Sequence, residues 1–84
     1  MLDMVDVKQI PVEQALFTDT WLMLKEFYHA RTENDWSRLL SAADDIDRKH
    51  QEDDPAKRDF GRRLIMAVAD YIERKNMDAD QDIR

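Results

Sequence analysis

Residues 32–50 read TENDWSRLLSAADDIDRKH, and the spacing of the apolar side chains in this stretch decides the fold class. Trp36, Leu39, Leu40, Ala43, Ile46 and His50 fall on one face of a 3.6-residue repeat, while Ser37, Arg38, Ser41, Asp44, Asp45 and Arg48 fall on the other. Thr32, followed three residues later by Asp35, supplies a near capping box that satisfies the first free amides of a helix. A helix over about 33–50, buried on one side, is the reading that follows.

Working outward, the same logic holds on both sides. Upstream, Pro11 suits the first helical turn and VEQALFTDTWLMLKEFYHA contains no Gly or Pro, which predicts a helix over about 11–30. Its main apolar row is Phe17, Trp21, Leu24 and Tyr28, and Leu16, Met23 and Phe27 flank that row, so the apolar face is wider than one stripe. Thr18, Asp19 and Thr20 are better caps than interior residues, which makes a break there the alternative. Downstream, Asp54 followed by Pro55 is a helix start, and Phe60, Leu64, Ala67, Val68, Tyr71 and Ile72, widened by Ile65, form the stripe of a helix over about 55–75. Asn76 reads as a left-handed C-cap, and 77–84 as a flexible tail.

Three amphipathic helices joined by short polar turns have one economical arrangement, an all-α antiparallel up-down-up bundle spanning residues 11–76. Composition agrees: there is one Gly, two Pro and no Cys, with 38% charged residues and 43% hydrophobic. Eighty-four residues support a single core. Residues 1–10 form an N-terminal arm in which Leu2, Met4, Val5, Val7 and Ile10 are interrupted by Asp3, Asp6 and Lys8. The arm can lie against the bundle or against a second subunit. It does not read as a signal peptide, no run is long and apolar enough for a membrane helix, and the cytoplasm is the expected compartment.

Charge is segregated along the chain. The net charge is −6, but residues 31–54 carry −4 whereas residues 55–76 carry +3. Lys57, Arg58, Arg62 and Arg63 crowd the start of the third helix, against its dipole, and call for compensation. Pairing with the acids of the second helix is one answer; contact with nucleic-acid phosphate or an acidic protein is the other. Asp44, Asp45, Glu52 and Asp53 have no evident structural task and form a candidate acidic partner surface. Leu16, Met23 and Phe27 form a candidate apolar interface if the other helices cover only one side of the first.

No catalytic residue, cofactor or metal is expected. Asp45 and Asp47 make a DxD, yet on a helix two residues apart point about 200° from one another and cannot share an ion. His29 and His50 have carboxylates within a turn, but no nucleophile or orienting third group accompanies them; both read as residues at helix ends. Trp21 and Trp36 read as core anchors.

The pattern WLMLKEFYHARTENDWSRLL followed by FGRRLIMAVADYIERK, across residues 20–75, resembles the short helical proteins encoded by bacterial phages and other mobile elements. That resemblance implies a small accessory or inhibitory protein, a class that includes some anti-CRISPR proteins, and it carries over no functional residue. The expected function is a non-enzymatic protein-binding module, an inhibitor of a nucleic-acid-binding host enzyme whose basic groove meets the acids. The alternatives are a regulator touching nucleic acid through the start of the third helix, and a structural homodimer.

Overall fold

The computed structural model describes the backbone of residues 3–81 and the side chains of residues 3–76. A single 3-10 turn, η1 (Val7–Gln9), precedes three helices, α1 (Pro11–Phe27), α2 (Glu33–Lys49) and α3 (Pro55–Gln81), and no strand occurs among the described residues. Lys49 Nζ lies 3.1 Å from Asp19 and Arg38 lies 3.6 Å from Glu26, so α2 runs antiparallel to α1. Phe17 sits beside Phe60 while Asn76 reaches the far end of α1, so α3 runs parallel to α1. The result is a three-helix bundle, up-down-up, in which α1 touches both partners.

Local chemistry explains each boundary. α1 continues through Thr18, Asp19 and Thr20 because the Thr20 hydroxyl donates to the Leu16 carbonyl at 2.8 Å, with the Phe17 carbonyl at 3.2 Å. Its polar group is thereby satisfied inside the helix, at a buried position. α2 opens with a complete capping box. Thr32 Oγ1 accepts from the Asp35 amide at 3.0 Å, and the Asp35 carboxylate accepts from the amides of Thr32 and Arg31 at 3.2 and 3.0 Å. The Asp54 carboxylate accepts from the Lys57 amide at 3.1 Å and starts α3.

Two ends differ from expectation. α1 stops at Phe27, short of Ala30, and α3 continues to Gln81, past 75. Asn76 is not a left-handed cap, since no non-glycine residue among those described has positive φ. Its side-chain nitrogen instead donates to the carbonyls of Ala30 at 2.6 Å and Tyr28 at 3.3 Å. It therefore holds, from inside α3, carbonyls of the turn that follows α1. Of the expected tail, residues 82–84 lie outside the described residues.

The core gathers Met23, Phe27, Ala30, Leu39, Ile65 and Ile72, with Trp36, Ala43 and Ile46 of α2 packed against it. This corrects the expected apolar interface: Leu16, Met23 and Phe27 are 1%, 3% and 5% exposed and face inward. Phe17 and Trp21, expected inside, are 55% and 57% exposed. The faces of α1 are exchanged because that helix carries two adjacent apolar stripes, and a close approach of α3 fits one of them. Gly61 faces Leu16 so closely that a Cβ there would lie 2.8 Å from Leu16 Cδ2. Contact at that line turns the Leu16 stripe toward α2 and α3, and leaves the Phe17 stripe on the outside. Leu40, expected on the buried face of α2, is also exposed. The arm is shaped by its own capping box, in which the Gln9 side chain accepts from the Asp6 amide at 2.8 Å; Met4, Val5 and Val7 stay exposed.

Candidate functional site

The four cations at the start of α3 are largely answered from within. Arg62 binds Asp47 through two hydrogen bonds of 3.0 and 3.4 Å, Arg63 meets Asp59 at 2.8 Å, and Lys57 lies 3.9 Å from Asp54. Arg58 is half-buried in a cleft with Asp53 and Arg62, and its buried Nε has no hydrogen-bond partner. The Arg62 hydrogen bond holds the Asp47 carboxyl below the usual carboxylate range. Asp47 is thus committed to α3, while Asp45 lines a groove on the α1 side with Asp19 and Glu26. The two carboxylates of the DxD diverge as helical geometry requires.

The acidic residues do not form one surface. Asp44 is paired with Arg48 at 2.6 Å on α2, Asp45 belongs to the α1/α2 side, and Asp53 belongs to the α2/α3 turn beside Arg58. Glu52 is exposed on the same turn. Asp53 has a structural task that the sequence does not reveal: its carboxylate accepts from or pairs with His50 Nδ1 at 2.9 Å. His50 is buried, and its Nε2 stops 3.6 Å from Asp19 Oδ2, beyond hydrogen-bond length; Lys49 reaches the same oxygen at 3.1 Å. This cluster ties α1, the end of α2 and the following turn together. His29 is exposed, its ring edge-on to Tyr28. No group of three His, Cys, Asp or Glu among the described residues could hold a metal ion.

The most distinctive surface lies on the side of the bundle away from α2. There α1 and α3 run side by side and present matching apolar rows, Phe17, Trp21, Leu24 and Tyr28 on one and Phe60, Leu64, Val68 and Tyr71 on the other. A groove between them is lined by Phe17, Thr20, Trp21, Leu24, Leu64 and Val68. The rows are held in register at both ends. Phe17 meets Phe60 edge to face with ring centroids 5.7 Å apart, and at the other end the neighbouring Tyr28 phenol pushes the Tyr71 phenol above its ordinary range. Lys75 Nζ rests 3.9 Å from the centre of the Tyr28 ring and Lys25 5.7 Å from that of Trp21, so cations frame the aromatic faces.

Sequence reasoning missed this surface by assigning its residues to the core. The available signal was the doubled width of the apolar arc on α1 and α3, since a helix at the edge of a three-helix bundle needs only one stripe. No protein-family model, curated protein or solved structure matches the chain. No helix among the described residues is long and apolar enough to cross a membrane.

Proposed function

We propose that this chain is a non-enzymatic protein-binding module that docks through the α1/α3 face. The observation that carries the reading is the paired row of half-exposed aromatic and aliphatic residues from Phe17 to Tyr28 and from Phe60 to Tyr71. Large rings kept in water by a rigid two-helix frame are the usual anchors of protein interfaces, because their burial releases much apolar surface at little cost in side-chain freedom. The expected role as an inhibitor that imitates nucleic acid draws less support, since Asp44, Asp45 and Asp53 face different sides and two of them have partners. A nucleic-acid contact through Lys57, Arg58, Arg62 and Arg63 is likewise less supported, because carboxylates already occupy three of those cations.

Affinity capture with three immobilised forms separates these readings. Loss of the captured protein with Trp21→Lys, and retention when Asp44, Asp45, Glu52 and Asp53 are changed to their amides, is the expected result. Loss only with the amide form would overturn the groove reading in favour of the acidic one.

A further inference from the structure

We infer that the occupant of the α1/α3 face is a second copy of this chain, packed antiparallel across a two-fold axis; the inference rests on reading that face as a docking surface. The argument comes from the outer edge of α3. Asp59, Arg63, Met66, Asp70 and Arg74 lie along it at spacings of three and four, next to the row Phe60, Leu64 and Tyr71. Arg63 pairs with Asp59 at 2.8 Å and Arg74 with Asp70 at 3.0 Å, so acids and bases share one edge. Read backward, the order acid, base, Met, acid, base becomes its own charge complement. Two such edges placed antiparallel therefore set Asp59 against the partner copy's arginine at position 74, and Arg63 against its aspartate at position 70, with methionine against methionine at the axis.

The apolar rows obey the same symmetry. On α1 the row has Phe17 at one end and Tyr28 at the other, and on α3 it has Phe60 and Tyr71 at the matching ends. The antiparallel arrangement stacks phenylalanine ends on tyrosine ends and brings Trp21 over the partner's leucine at position 24, closing a four-helix layer between copies. A parallel arrangement would set the charged edge of α3 against the edge of α1 that carries Gln14, Thr18 and Lys25, which has no acid to answer it. Four half-exposed rings of roughly 200 Å² each supply ~400 Å², about half of what each partner contributes to a standard interface, and Leu24, Leu64, Ala67 and Val68 add to it. The like net charges repel at long range, but that repulsion is screened beyond ~8 Å at physiological ionic strength, while contacts along the edge are closer.

Light scattering and sedimentation across a dilution series test this on the full chain. The expected result is a dimeric mass that falls to the monomer on dilution. Arg63→Asp with Arg74→Asp makes the edge uniformly acidic and weakens association by about tenfold or more. Inverting all four residues (Asp59→Arg, Arg63→Asp, Asp70→Arg, Arg74→Asp) preserves self-complementarity and restores association to within about threefold. Trp21→Lys gives a monomer whose far-ultraviolet circular dichroism is unchanged. A monomeric mass at every concentration overturns the dimer; docking of some other partner then still stands if capture depends on Trp21, and falls if it does not. A dimer indifferent to Trp21→Lys overturns the face, and failure of the fourfold inversion to restore association overturns the antiparallel register.

Discussion

Asn76 shows how one side chain can tie a helix to a turn distant in the sequence. Its amide donates to the carbonyls of Ala30, at a buried position, and of Tyr28, both in the turn that follows α1. Asn76→Ala is expected to destabilise the fold by about 1–3 kcal/mol, read as a lower midpoint in chemical denaturation, with amide exchange accelerated at the end of α1. Asp35 makes a second residue-scale prediction. Backbone hydrogen bonds from Arg31 and Thr32 hold its carboxyl below the ordinary value. A carboxyl with a depressed folded-state pKa adds stability that is complete above its unfolded pKa, near 4, and disappears as the pH falls through the lower folded value. Asp47 acts in the same direction through Arg62. Stability should therefore be level near neutrality and decline below about pH 4. In thermal melts that decline should be shallower for Asp35→Asn, and an unchanged slope would remove Asp35 from the acid response.

Among the elements, α1 and α3 approach closely at Leu16 and Gly61. Gly61→Ala gains helix propensity of about 1 kcal/mol but drives a methyl to 2.8 Å from a leucine that is itself fully buried. The overpacking is expected to outweigh the gain, leaving a small net loss, while Gly61→Val costs about 3 kcal/mol. Leu16→Ala combined with Gly61→Ala should lose less than the two single changes together, because each relieves the other; strict additivity in denaturation would refute the close contact. The helix starts were legible beforehand: Thr32 with Asp35, and Asp54 with Pro55, act on their own neighbours and form the caps the sequence implied. The course of α3 through Asn76 was not, because that side chain serves carbonyls of a turn distant in sequence.

For the whole molecule, the exchange of faces on α1 makes a sharp comparison. Phe27→Ala removes a core ring and should cost about 3–5 kcal/mol, whereas Trp21→Ala, at a larger but half-exposed ring, should cost less than about 1 kcal/mol in dilute monomer. Equal losses in urea unfolding would mean that the Trp21 row is core after all. By itself, the sequence determined that there would be three amphipathic helices, where two of their caps lie, and that α1 would carry a double-width apolar face; these follow from spacing and from hydrogen bonds within a turn. Tertiary structure alone decided which stripe faced inward, that Arg62 of α3 would meet Asp47 of α2, and that His50 would sit beside Asp19 of α1. Both adjacent stripes are apolar, so periodicity alone does not order them, and how closely helices can approach does. That depends on the pairing of Gly61 with Leu16, a contact between residues far apart in the chain.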